Sequence, residues 1–413
     1  MSSRPVPTDG PGPAQQPRTA QQPQKAQQAQ TAQPWSRQRL RSNNEWLLLE
    51  LLRTGGPSSR AQLARDTGLS KPTVSSALAN LEQAGLAREA GLLAPERGRV
   101  AVLYEPDPAA GYVLGIDVGR ARLRVALTDL AGRIVGRQDV PNRGRTANAV
   151  ADAVVEAARA ATAEAGLLPA DVVHAAIGSP GVWDEREQRV QLAPNLPGWG
   201  RRGLFERIEA GLETRISVHN DANLAALGEY ARGAGAGSRL FVYLLVGTGL
   251  GMGVVADGEL QRGAHGAAGE IGLLPHPGRG TLEESAAAES VVRTARELGM
   301  PGPLTAKEVF AAARTGDARA GEAVRREAEQ LAYALAVVSA VLDPDLVVLG
   351  GGLGHGADLL LEPVEKALHR LTPLRPRLAA SLLGDEAVLQ GALATAVGIA
   401  RAEVFERRTA ALD

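Results

Sequence analysis

Apolar, strand-like runs alternate with helix-length segments from about residue 110 to the end of the chain, and no other feature narrows the fold as far. YVLGIDV and RLRVALTDL come first, then a helical stretch over about 146–166 and the strand VVHAAIGSP. ISVHND, a helix over about 222–232, LFVYLLVG and MGVVADGEL continue the series. A long helix over about 320–342, the strand LVVLGG and two further helices close it. Alternating β and α elements predict an α/β fold with mainly parallel sheets. At 413 residues the chain is long enough for two or three domains, and this part predicts two lobes. No short-period repeat is visible.

Residues 37–104 follow another pattern, helical and then briefly extended. SRAQLARDTGLSKPTVSSALANLEQAGL (59–86) predicts a helix, a short Gly turn and a second helix. Ser70 is a good N-cap, and Pro72 falls in the first turn, where its missing N–H costs little. Val74, Leu78 and Leu81 recur at i, i+4 and i+7 and so face a core. Ser76, Asn80 and Gln83 are expected on the opposite side with Pro72, and Lys71, Thr73 and Ser75 near the start. Short polar groups of this kind reach base edges and phosphates when a helix lies in a major groove. LAREAGLLAPERGRVAVLYEP then predicts two strands around Arg97-Gly98-Arg99, the shape of a wing whose arginines enter a minor groove or bind phosphate. Lys71, Thr73, Ser75, Ser76, Asn80, Arg97 and Arg99 are the candidate DNA contacts. A small protein-interaction domain is the alternative; spacing, cap, turn and basic wing together favour DNA.

Charge is distributed accordingly. The chain has a net charge of −1, but residues 35–105 carry ten Lys/Arg against seven Asp/Glu. The asymmetry suits a nucleic-acid-facing module on a larger, mildly acidic body. Residues 1–36 are rich in Gln, Ala and Pro, with almost no large apolar residue, and are expected to be a disordered tail. No apolar run approaches the ~18 residues of a membrane span, and the N-terminus lacks the apolar region of a secretory signal. A cytoplasmic protein with no membrane partner is expected. The absence of cysteine excludes disulfides and thiolate metal sites.

Three Gly-rich or Asp-bearing segments recur in the body: GIDVG (115–119), VGTGLGMG (246–253) and VVLGGGLG (347–354). The second supplies successive backbone N–H groups that can cradle phosphate. Any one of them alone reads as a turn. With ISVHNDANLAALGE (216–229), GAAGEIG (266–272) and the preceding winged module, the set resembles the ROK family of repressors, open reading frames and kinases, over nearly all of residues 37–405.

The resemblance implies an N-terminal winged helix-turn-helix (37–104) followed by a two-lobed, actin-like α/β domain of the sugar-kinase type. Lobe 1 is expected over 110–232 and lobe 2 over 233–384, with a C-terminal helix over 385–405 packing back on lobe 1. It also implies site residues. Asn220 and Asp221 match the pair in which a kinase's Asp deprotonates the sugar hydroxyl; Glu270, Glu283 and Asn195 match further sugar contacts. Asp117, Gly119, Thr248 and Gly249 match the nucleotide site. That site departs from the family pattern, Asp-x-Gly-Gly-Thr, because Arg120 and Ala121 replace the second Gly and the Thr. A long side chain stands where backbone must approach phosphate, unless Arg120 itself pairs with phosphate. Leu273 stands where relatives carry a zinc-binding His, and the cysteines of that site are missing, so no metal and no cofactor are expected; His265 and His276 nearby read as ordinary polar residues.

The expectation is therefore a DNA-binding repressor of carbohydrate genes, not an enzyme, acting as a homodimer on a pseudo-palindromic operator and answering to a sugar or sugar derivative. In that role Asp221 remains as a sugar contact. A sugar kinase with a fused DNA-binding domain, and a regulator whose pocket no longer binds, are the alternatives.

Overall fold

The computed structural model describes residues 37–94, 100–193, 196–277 and 280–411. The N-terminal module contains α1 (Arg37–Gly55), β1 (Ser58–Ser59), α2 (Arg60–Thr67), α3 (Lys71–Gln83), β2 (Ala87–Leu93) and β3 (Ala101–Pro106). β3 pairs antiparallel with both β1 and β2, which makes the wing. The Ser59 and Ser70 hydroxyls accept from Gln62 N and Thr73 N, supplying the N-caps of α2 and α3. Gly68 ends α2 at φ 70°, a left-handed conformation that favours glycine. Val74, Leu78 and Leu81 are fully buried against Leu48, Leu52, Leu63 and Tyr104, as their helical spacing requires.

Lobe 1 comprises β4 (Tyr112–Val118), β5 (Arg122–Asp129), β6 (Ile134–Pro141), α4 (Ala147–Glu164), β7 (Val172–Ser179), β8 (Val182–Asp184), β9 (Arg189–Gln191), α5 (Leu204–Leu212), β10 (Arg215–Asn220) and α6 (Asp221–Arg232). Lobe 2 comprises β11 (Leu240–Val246), β12 (Leu250–Ala256), β13 (Glu259–Leu260), α7 (Leu282–Ala286), α8 (Ala288–Glu297), α9 (Ala306–Arg314), α10 (Ala318–Leu342), β14 (Leu346–Gly350), α11 (Ala357–Leu371) and β15 (Arg377–Ala380). The sheet orders are β10-β7-β4-β5-β6 and β13-β12-β11-β14-β15. Each lobe thus starts a central strand, folds a hairpin and third strand to one side, and adds two parallel strands on the other.

The sheets are therefore mixed, not mainly parallel. β4–β5–β6 and β11–β12–β13 are antiparallel. The short turns at Gly119–Ala121 and Gly247–Gly249 explain this: a hairpin-length loop can only reverse the chain, whereas a parallel pair needs a long crossover. The helices α7–α9 also lie in a stretch whose sequence suggested no element.

The chain ends in α12 (Ala387–Ala410), 24 residues and ~36 Å long at 1.5 Å per residue. A Cβ on Gly391 would lie 1.8 Å from Leu224 O, and one on Gly228 2.3 Å from Ala387 O. Those two glycines let α12 and α6 meet backbone to backbone. The stretch Gly384–Ala410 reaches a mean hydropathy of 1.3 and is, among the described residues, the one helix long and apolar enough to span a bilayer, which the sequence reading overlooked. Its apolar residues are spent on β4, β7 and α6 instead.

Past lobe 1, α12 continues into the winged module. Val404 and Phe405 join that module's core. The Phe405 ring meets Trp46 of α1 edge-on, centroids 4.9 Å apart. The Arg408 guanidinium donates to Ala84 O (3.1 Å), Gly85 O (3.0 Å) and Ala110 O (2.5 Å). Two of these carbonyls close the C-terminal end of α3.

Candidate functional site

Lys71 and Ser75, one turn apart, and the neighbouring Ser76 are exposed on the N-terminal half of α3. Thr73 is half-buried, and its hydroxyl lies 2.8 Å from Ser70 Oγ, so it serves the helix cap as well as the surface. Asn80 is half-buried on α3. Its Nδ2 donates to Glu45 Oε1 at 2.6 Å, and Glu45 is 4 % exposed on α1. This hydrogen bond ties α3 to α1. Asn80→Ala is accordingly expected to lower stability by about 1–3 kcal/mol, measured by urea unfolding, and to leave sequence preference in a binding-site selection unchanged. Arg97 and Arg99 lie outside the described residues.

The second site is a cleft between the lobes of about 870 Å³. It brings together Asp117, Gly119, Arg120, Asn220, Asp221, Thr248, Gly249, Glu270 and Glu283. Asn195 lies outside the described residues. Asp221 opens α6, directly after β10 has carried the chain to the cleft, and its Oδ1 accepts from Ala222 N at 2.8 Å. Asn220 is the N-cap of α6: its Oδ1 accepts from Asn223 N (3.0 Å), and its Nδ2 donates to Gly181 O (3.2 Å). Glu283 Oε2 accepts from Leu250 N at 3.0 Å, so one of its oxygens holds the β11–β12 hairpin and the other remains for a ligand.

The carboxyl groups of Asp117, Asp221, Glu270, Glu283 and Asp385 thus line one cleft. Burial, followed by the charges of Asp117 and Glu270, pushes Asp221 up to about 7. Burial also raises Asp117, to about 6, against the pull of Arg124. Glu270 is raised by burial and by Glu283. Hydroxyl groups that donate to such acceptors relieve this crowding, so the surface suits a polyol. A carboxyl group near neutrality is also suited to take a hydroxyl proton.

Both Asp117 and Asp221 bind protons more tightly in the folded chain than in the unfolded one. That favours the fold below about pH 4, and the advantage is lost as pH rises through 6–7. The melting temperature of the empty protein is expected to fall between pH 5 and pH 8, and Asp221→Asn to flatten the fall. An unchanged slope in that variant, followed by calorimetry, would remove Asp221 from the account.

At the end of the cleft lined by Asp117, Gly119 and Arg120, side chains of the chain itself pair with one another. Arg124, the cross-strand partner of Asp117 in the β4–β5 hairpin, donates to Asp117 Oδ2 at 3.1 Å. Its other nitrogen reaches Asp385 Oδ2 at 3.1 Å, and Asp385 Oδ1 meets His355 Nε2 at 3.0 Å. A chain of hydrogen bonds therefore runs from lobe 1, through the turn before α12, to the loop after β14. Arg120 is exposed at the cleft edge. Gly119 is needed as it stands, since a Cβ there would lie 2.8 Å from Arg122 O. Of the N–H groups in the β11–β12 turn, that of Gly247 is taken by Gly249 O (2.9 Å) and that of Leu250 by Glu283.

The residues at the position of the family's zinc do not fit that metal. Leu273 is 57 % exposed at the cleft, and the His276 ring lies edge-on to Tyr333, centroids 5.0 Å apart. Among the described residues no group of three His, Asp or Glu is placed to hold an ion. Arg124, Asp385 and Arg408 were missed in the sequence. For Arg124 a signal existed, because hairpin register places it opposite Asp117; the other two act only through distant chain.

Comparison with known proteins gives two family matches, the ROK family over residues 113–398 and the MarR family over residues 41–92. A glucokinase of Halalkalibacterium halodurans is 31 % identical over 309 residues, which cover 68 % of this chain and 93 % of that protein. A xylose repressor of Caldicellulosiruptor bescii is 24 % identical over 384 residues, 87 % of this chain and 96 % of the repressor. Among solved structures, a ROK family transcriptional regulator described as a homologue of the E. coli MLC protein superposes with a TM-score of 0.74 at 22 % identity. That match covers 90 % of this chain and 99 % of the regulator, and at this identity it speaks for the fold.

Proposed function

The chain belongs to the ROK family, and we propose that it is a sugar-responsive transcriptional repressor of carbohydrate genes that has given up phosphoryl transfer. The observation that carries this reading is α12. The turn before it lines the cleft through Gly384 and Asp385, and its far end holds the C-terminal end of α3 through Arg408. A ligand that favours one lobe arrangement thereby has a rigid path to the helix expected to enter DNA, and it shifts operator affinity by its differential affinity for the two arrangements. Similarity to a xylose repressor over most of both chains and the MarR match support the same role. A cytoplasmic homodimer on a pseudo-palindromic operator, with Lys71, Ser75, Ser76, Arg97 and Arg99 toward the DNA, completes the reading.

Kinase activity is the second reading, favoured by the near-neutral Asp221 and by the similarity to a glucokinase. Against it, phosphoryl transfer is mostly positioning and charge stabilisation around the nucleotide. Here Asp117 is occupied by Arg124, and Arg120 stands beside it. The test pairs an ATP-consumption assay over a sugar panel with release of operator DNA by the same sugars. Release without turnover is the expected result; robust turnover with any sugar would overturn the repressor-only reading.

A further inference from the structure

A second cavity, of about 530 Å³, adjoins the cleft, and Gln191 and Asn220 line both. Each space is of ligand size. The walls of the second come from β8, from the end of β10 and from the loop after β13. Trp183 gives it an aromatic wall, supported edge-on by Phe205 at 5.1 Å between centroids. Asp184 Oδ2 accepts from Gln191 Nε2 at 2.6 Å, which orients Gln191 at the boundary between the two spaces.

Arg262 is held unusually. Most ion-paired arginines described here sit on a carboxylate, as Arg122, Arg207 and Arg314 do. Arg262 Nη2 instead donates to Nδ1 of His219 at 3.1 Å. His219 is 7 % exposed, and burial followed by the Arg262 charge lowers it to about 3, so the ring is neutral and its proton sits on Nε2. That proton goes to Ser217 Oγ (3.0 Å), whose own hydrogen can go to His174 Nε2 (2.9 Å). The guanidinium is thus aimed by a chain of neutral groups and keeps its charge and remaining N–H donors. Arg186 adds a second cation to the cavity, and Asp184 and Glu185 add acceptors. Mixed donors and acceptors beside an aromatic ring match sugar hydroxyls, which both donate and accept. A phosphate ester would meet two carboxylates there.

We propose that this cavity is a second saccharide subsite, so that the effector is a disaccharide or longer saccharide with one ring in the cleft and the next against Trp183 and Arg262. The proposal rests on the sugar-binding reading of the cleft, and the experiment separates the two. Calorimetric titration of the full-length protein with cellobiose, maltose and xylobiose is compared with glucose, xylose and glucose 6-phosphate. At least one disaccharide is expected to bind about tenfold more tightly than its own monosaccharide. Arg262→Ala and Trp183→Ala are expected to erase that gain and to leave the monosaccharide within about twofold; Trp183→Phe, which keeps the packing on Phe205, should retain part of it. Monosaccharide binding with no disaccharide gain, or equal weakening of both by Arg262→Ala, overturns the second subsite and leaves the cleft reading standing. An Arg262-dependent preference for glucose 6-phosphate makes the cavity an anion site and likewise overturns it. Failure of every saccharide to bind overturns both.

Discussion

Asp221→Ala is expected to abolish the sugar response while operator binding without sugar stays within about threefold of the parent protein. Asp221 has one oxygen on Ala222 N and lines the cleft together with the carboxyl groups of Asp117, Glu270, Glu283 and Asp385. Each hydroxyl-to-carboxylate hydrogen bond lost costs about 1.5–3 kcal/mol, roughly 10- to 100-fold in affinity. The winged module lies at the other end of α12 and touches none of these groups, so its DNA face is unaffected. Calorimetry with the inducing sugar, and fluorescence anisotropy on operator DNA with and without it, measure the two halves. A variant that still releases operator at the parent's sugar concentration would show that Asp221 is not a ligand contact.

Arg408→Ala is expected to do the converse: sugar binding is retained and the shift in operator affinity is lost. Allosteric coupling is commonly about 5- to 150-fold; in this variant the ratio of operator affinities with and without sugar should approach one. The reason is geometric. Arg408 is the polar tie between the last turn of α12 and the carbonyls that end α3, and without it α12 meets the winged module through the apolar contacts of Val404 and Phe405. Arg408→Lys, which can satisfy one carbonyl but not span three, should give an intermediate ratio. Full coupling in Arg408→Ala would exclude α12 as the route.

These predictions depend on contacts between groups far apart in the chain, and that separation marks what could be read in advance. The cap at Ser70, the buried face of α3 and the extents of α4, α6 and α10 are decided within a few residues of each position, so spacing and residue type sufficed. The cleft residues were recognisable because each sits on a turn or helix start whose local sequence is distinctive. The sheet order was not. Antiparallel pairing in both lobes followed from the short turns, a signal present in the sequence but outweighed by the βα alternation. The bond of Asn80 to Glu45, a carboxylate 35 residues away, depends on tertiary packing and not on local spacing.

By itself, the sequence determined the longer helices and strands, the Ser70 cap and the buried face of α3. Those features arise from backbone geometry and side-chain periodicity, which act over one or two turns. Only the tertiary structure decided that Arg124 joins Asp117 to Asp385, 261 residues beyond Arg124, and that Arg408 closes the end of α3 across 324 residues. Such ties exist because the apolar first part of α12 is buried against lobe 1 and so delivers polar groups at and beyond its two ends to places no local rule connects.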